Sequence, residues 1–229
     1  MIEVQLYHIF AAGFTILAIM NAMHEHLQAM RKFLLIFLLT ISSQINATTL
    51  LVLGDSISAG FGIDVKKGWV NLLQEKFFDQ LSVINGSISG DTTGGGLYRL
   101  PLLLQTHQPD FVIIELGGND GLRGYPLNHL RENLYALINL CREHGAEPIL
   151  TGMRIPPNYG QRYASEFEQV FPSVAKEADI PLITFNFDAF YAGEGLMQED
   201  GIHPTEKGQP LILAEVELKL LELMPDLGE

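Results

Sequence analysis

This sequence predicts an α/β fold with a mostly parallel sheet of five strands, and three observations carry that expectation. Short, largely apolar runs of strand length recur at 49–53, 81–84, 111–116, 148–153 and 182–185. Longer stretches with apolar residues at helical spacing lie between them. The two kinds alternate along the chain, which implies parallel strands, right-handed crossovers and helices on both faces of the sheet.

Each element follows from its own residues. The run 49–53 is continuously apolar and stops at Gly54, as expected of a strand buried on both faces. Val70, Leu72, Leu73 and Phe77 give 68–80 a helical spacing. After the strand at 81–84, residues 92–107 read as a helix in which Pro101 predicts a break or kink. The third strand reads F-V-I-I-E-L at 111–116. Residues 127–144 form a strongly amphipathic helix stopped by Gly145. A strand at 148–153, a helix at 162–178 containing Pro172 and a strand at 182–185 follow. A closing helix is expected over 204–224, with Pro204 in its first turn. No repeat or internal linker interrupts this order, so a single domain over 48–229 is expected.

The bulk composition narrows the function classes. A 229-residue chain with 47% hydrophobic and 18% charged residues is globular. Its formal charge of −13 offers no electrostatic footprint for nucleic acid or anionic lipid. The one cysteine, Cys141, lies in an apolar-periodic run and reads as a core residue. Neither an H-x-x-x-H pattern nor a Cys/His cluster occurs, so no metal or other cofactor is expected, and His107, His129 and His144 read as helix-end or surface residues. The chain is expected to act as a monomer on a small-molecule substrate.

The first 47 residues read as a targeting region. Arg31 and Lys32 precede the apolar run 33–41, and Ala47 is a cleavage position, although Ile45 is larger than the residue such sites favour. A run of nine residues is too short to span a bilayer. Residues 1–29 hold a second apolar run, 9–20, with no Lys or Arg before it, which places the expected start of translation at Met30. The reading is an upstream extension at 1–29, a signal peptide at 30–47, export to the periplasm or medium, and no stable membrane insertion after cleavage. Loss of 1–47 removes Glu3, Glu25, Arg31 and Lys32, so the mature domain keeps its charge.

In an open α/β sheet, sites form beyond the carboxyl ends of the strands. Asp55, Ser56 and Ser58 follow the first strand, Ile88-Ser89-Gly90-Asp91 the second, and Gly117-Gly118-Asn119-Asp120 the third. Asp200-Gly201-Ile202-His203-Pro204 precedes the closing helix. A serine hydrolase needs a serine beside a base, a group that orients the base, and donors facing the developing oxyanion. Ser56 is the candidate nucleophile, His203 the base and Asp200 its orienting carboxylate. The amides of Ser56 and Gly90 and the side-chain NH₂ of Asn119 are the candidate oxyanion donors. Asp55 and Asp120 read as turn residues accepting backbone N–H groups. Gly94-Gly95-Gly96 lacks the G-K-[ST] of a phosphate loop and reads as close packing at a helix start.

Position 58 is Ser where an α/β-hydrolase elbow needs Gly, so that template does not apply. Instead, G-D-S-I-S at 54–58, Gly90 within I-S-G-D-T, G-G-N-D at 117–120 and D-G-I-H-P at 200–204 resemble the four blocks of the SGNH (GDSL) hydrolases, in that family's order. The resemblance covers residues 49–224. It implies a three-layer α/β/α flavodoxin-like fold, Ser56, Asp200 and His203 as triad, and Ser56, Gly90 and Asn119 as oxyanion hole. It also implies that 121–125 moves to cover a bound acyl chain.

The expected substrates are fatty acyl esters and thioesters, among them lysophospholipid, acyl-CoA and aryl esters. Leu122, Ile155, Pro156, Pro157 and Tyr159 are the candidate acyl-chain contacts. Because coenzyme A is polyanionic and the domain acidic, esters stand nearer the natural substrate than acyl-CoA. Three rivals use the same scaffold: a carbohydrate O-acetylesterase, which would need a polar rim; a peptidase, which would need a side-chain pocket; and a silent binding module, which would not need a complete triad.

Overall fold

The computed structural model describes residues 20–21, 23–28, 30–32 and 47–228. The chain divides into two compact units, Met1–Asn46 and Ala47–Glu229. In the first, the described residues are helical and exposed. The apolar run 33–41 expected to form the core of a signal lies outside the described residues. Among the described residues, no helix is long and apolar enough to cross a membrane.

The second unit carries all five expected strands: β1 (Thr48–Gly54), β2 (Leu81–Asn85), β3 (Phe111–Glu115), β4 (Glu147–Thr151) and β5 (Leu182–Ile183). They pair in the order β2-β1-β3-β4-β5, and every pair is parallel. This is the flavodoxin-like order, in which the chain reverses direction across the sheet between β1 and β3.

Side chains alternate across a strand, so two cores form. Leu51, Leu53, Val112, Ile114 and Leu150 face one layer of helices. That layer is α3 (Thr93–His107), α5 (Leu127–Glu143) and α6 (Gln161–Ala178), which contribute Leu100, Leu104, Leu134, Ile138, Phe167 and Phe171. Leu50, Val52, Ile113 and Ile149 face α2 (Trp69–Lys76) and α8 (Gln209–Leu223) through Trp69, Leu73, Ile212, Val216 and Leu220. Leu50 to Leu53 are all at zero exposure, which explains why β1 reads as an unbroken apolar run. Three short helices, α1 (Ser56–Ala59), α4 (Gly118–Leu122) and α7 (Phe187–Ala192), sit at the carboxyl ends of β1, β3 and β5.

Four local expectations need correction. The helix expected over 68–80 ends at Lys76, where the amides of Gln80 and Leu81 turn back to the Phe77 carbonyl. Pro101 does not break α3, which runs on to His107, and Pro101 itself is exposed. The last strand stops at Ile183, two residues early. Pro204 is not in a helical first turn: it forms an isolated antiparallel bridge with Met197, and α8 begins at Gln209 with Pro210 in its first turn. The carbonyl of His203 accepts from Gln198 N at 2.8 Å and Thr205 N donates to Leu196 O at 2.8 Å, so this backbone is already engaged outside a helix.

Candidate active site

Ser56 opens α1 directly beyond β1. Asp55 caps that turn, its Oδ1 accepting from Ile57 N at 3.1 Å. The strand must turn sharply here, and Gly54 makes room: a Cβ on it would lie 2.6 Å from Glu115 Oε2 and 2.7 Å from the Ser58 side chain. Ser56 N has no hydrogen-bond partner among the described residues.

The bridged segment 196–205 brings the base across. Asp200 Oδ1 accepts from Ile202 N (2.9 Å) and His203 N (3.0 Å), which rolls the loop tip into a tight turn with Gly201 at φ +66°. His203 Nδ1 lies 2.7 Å from Asp200 Oδ2, and its Nε2 lies 2.8 Å from Ser56 Oγ. Burial works against the Asp200 charge, but the His203 ring, the two backbone amides and the positive charge of a protonated His203 outweigh it and hold the carboxyl down at about 2. An ionised carboxylate only accepts, so Nδ1 carries the proton and a neutral imidazole presents Nε2 as an acceptor to the serine hydroxyl. Phe61 packs on the imidazole with ring centroids 4.6 Å apart. Gln198 Nε2 donates to Phe61 O at 2.8 Å and to Pro204 O at 3.1 Å, tying the histidine loop to the segment that follows the serine.

Asn119 sits in α4, where its Nδ2 donates to Asp55 Oδ2 at 2.9 Å. That bond fixes which end of the amide carries the donors and leaves a second N–H on the same nitrogen. Gly90 lies in the loop after β2 at φ +80°, and its amide has no partner among the described residues. This loop hangs from β1 through Ile88 N, which donates to Gly54 O at 3.1 Å. Asp120 accepts a backbone N–H, but across the fold and not within its own turn: its Oδ2 takes Thr93 N at 2.9 Å, and its Oδ1 takes the Thr93 hydroxyl at 2.6 Å.

Beneath the serine lies a carboxylate that is not among the residues expected from the sequence. Glu115, the last residue of β3, is buried, and its Oε2 accepts from Ser58 Oγ (2.6 Å) and Asp55 N (3.2 Å). Burial, then the nearby Asp55 carboxylate, push its carboxyl well above the ordinary range. Burial likewise raises Asp55 to about 6, against the opposing pull of the Ile57 amide, His203 and Asn119. The signal was present: a lone acid in the apolar run F-V-I-I-E-L has to be protonated or paired.

Ser56, Asn119 and His203 line one groove, open to solvent at its mouth, whose walls are mostly apolar. Of the expected chain contacts, Leu122, Ile155 and Pro156 reach its wall. Tyr159 does not; it is exposed on the turn that follows. The larger apolar contribution was missed: Phe185, Phe187, Phe190 and Tyr191 line the groove from α7 and the residues before it. The signal for it is the segment F-N-F-D-A-F-Y just beyond the last strand, at the carboxyl end where sites form in such sheets. Among the described residues, no group of three or more His, Cys, Asp or Glu side chains is placed to hold a metal ion.

Comparison with known proteins bears on the same residues. The family model described as GDSL-like lipase/acylhydrolase matches residues 52–211, from within β1 to the first turn of α8. The chain belongs to that family. Membership makes it a serine ester hydrolase. Among GDSL relatives, esterase TesA of Pseudomonas aeruginosa is 46% identical over 182 residues, 78% of this chain and 90% of that protein. A protein of Escherichia coli K12 named thioesterase 1/protease 1/lysophospholipase L1 is 46% identical over 180 residues, 79% of this chain and 86% of its own. The solved structure of the psychrotrophic esterase EstA from Pseudoalteromonas sp., inhibited by monoethylphosphonate, superposes with a TM-score of 0.74 at 40% identity, covering 78% of this chain and 99% of that one.

Proposed function

We propose that this GDSL hydrolase cleaves fatty acyl esters and thioesters through an acyl-enzyme on Ser56. The observation that carries the proposal is the unbroken relay from Asp200 through His203 to Ser56 Oγ, 2.7 and 2.8 Å long, at the mouth of an apolar groove. Ser56 Oγ attacks the acyl carbonyl as its proton passes to His203 Nε2, and Asp200 stabilises the imidazolium. The Ser56 and Gly90 amides and the free N–H of Asn119 receive the oxyanion. Collapse expels the alcohol or thiol, which takes the proton from His203. Water, activated by the same histidine, then releases the acid and restores the serine.

The acyl chain lies along Leu122, Met153, Ile155, Phe185, Phe190 and Ile212, all on the groove wall. Such a lining favours a medium or long chain over acetate. The relatives named esterase, thioesterase and lysophospholipase L1 support ester and thioester chemistry on this scaffold. The leader reading at 30–47 makes the enzyme exported, and sequencing the mature N-terminus tests it, with a start at 48 expected. The catalytic proposal is tested with p-nitrophenyl esters of increasing chain length, comparing the enzyme with Ser56→Ala. The expected result is an optimum beyond acetate, with kcat at least about 10³-fold lower in the variant. Activity confined to acetate would instead favour a carbohydrate O-acetylesterase.

A further inference from the structure

Arg99 is a nearly buried cation that the chemistry above does not use; 15% of its side chain is exposed. It projects from α3, and its guanidinium reaches three separate segments. Nε donates to Asp91 Oδ2 at 2.7 Å, Nη2 to Gly54 O at 3.1 Å, and Nη1 to Gly86 O. Gly54 ends β1, two residues before Ser56; Gly86 follows β2; Asp91 follows Gly90. One rigid planar group therefore spans the loop that carries Gly90 and pins it to the strand that carries the serine. Asp91 is itself mostly buried, and its other oxygen, Oδ1, accepts from Thr92 N at 3.0 Å. A Cβ on Gly95 would lie 1.8 Å from that Oδ1, so the middle glycine of the run makes room for the Arg99–Asp91 pair. The loop is also held by Gly86 N on Val52 O at 2.9 Å, Ile88 N on Gly54 O and, from the exposed side, Arg123 Nη2 on Gly90 O at 2.8 Å.

We infer that Arg99 is a positioning residue for catalysis, setting the separation between the Ser56 and Gly90 amides and so the geometry of the oxyanion hole. The inference rests on the proposed serine mechanism. Oxyanion stabilisation depends on donors held in place before reaction, so loosening one of them lowers kcat and spares ground-state binding. Lysine cannot replace Arg99, because a single ammonium cannot span three acceptors that need a fork.

The test compares the enzyme with Arg99→Lys, Arg99→Ala and Ser56→Ala on a p-nitrophenyl ester. It also uses inhibition by an alkyl trifluoromethyl ketone, to whose carbonyl carbon Ser56 Oγ adds while its proton passes to His203, leaving a hemiketal oxyanion. In folded Arg99→Lys, kcat is expected to fall at least about tenfold, less than outright loss of a donor. KM should change little, and the ketone's Ki should rise by the same factor as kcat falls. Guanidinium ion added to Arg99→Ala should restore part of kcat. An unchanged kcat, or a lowered kcat with undiminished ketone affinity, would overturn the inference while leaving the serine mechanism standing. Full activity in Ser56→Ala would overturn both.

Discussion

At the scale of single residues, the site depends on which atoms are left free. Asn119 spends one N–H on Asp55 and keeps the other. On the proposed mechanism, Asn119→Ala should lower kcat by about 10²–10³ with KM little changed, since the donor it removes would act in the transition state. Asp55→Asn tests how that amide is oriented. Asp55 accepts from Ile57 N on one oxygen and from Asn119 on the other. An asparagine has only one oxygen and must turn an NH₂ toward one of those donors. Its kcat should fall in the same direction as Asn119→Ala, and the double variant should lose less than the two losses multiplied. Independent, fully multiplicative effects would show that Asp55 does not act through Asn119.

At the scale of elements, two devices hold the machinery in register. Ser56 and His203 meet although 147 positions separate them, and the bridged segment 196–205 is tied to the segment after α1 by the Gln198 side chain. Gln198→Ala should therefore reduce kcat more than it reduces the urea midpoint, because this tie aligns a loop and bears little on the core. An unchanged kcat would leave the Met197–Pro204 bridge as sufficient support. The second device is Gly117, between β3 and α4. Its φ is +121°, and a Cβ there would lie 2.9 Å from Phe171 Cζ and 3.1 Å from Leu130 Cδ1. Gly117→Ala combines backbone strain with overpacking and should cost about 1–3 kcal/mol in urea unfolding. A loss below about 0.5 kcal/mol, the range of an unstrained surface change, would show that α4 relaxes to admit it.

At the scale of the whole molecule, the acids around the site give stability a pH dependence of two opposite signs. Asp200 titrates at about 2 in the fold against an ordinary 3.8, so its contribution is complete above about 4 and is lost as pH falls toward 2. Asp55 is raised from 3.8 to about 6, and Glu115 is raised well above 4.5 by burial and then by Asp55. These groups bind protons more tightly folded than unfolded, so stability declines as pH rises, through 4–6 for Asp55 and from 4.5 upward for Glu115. Glu115→Gln keeps an oxygen for Ser58 Oγ and Asp55 N but does not titrate. Its stability relative to the parent should climb with pH above 4.5, read as urea midpoints across pH 4–8; parallel curves would mean that Glu115 ionises as freely in the fold as out of it. Much of this architecture was legible along the chain. Apolar runs ending in glycine, helical spacing and small polar residues after strands are local patterns, and they sufficed for the five strands, for placing Ser56, Asn119 and His203 at one rim, and for the core position of Cys141, whose thiol burial pushes up to about 12. Tertiary structure alone decided the strand order, the bridge that keeps Pro204 out of α8, the burial of Glu115 beneath the serine and the aromatic wall from α7 that Tyr159 does not join. The physical reason is that a run's periodicity determines which side of an element is buried, whereas its neighbours depend on strands and loops far away in sequence.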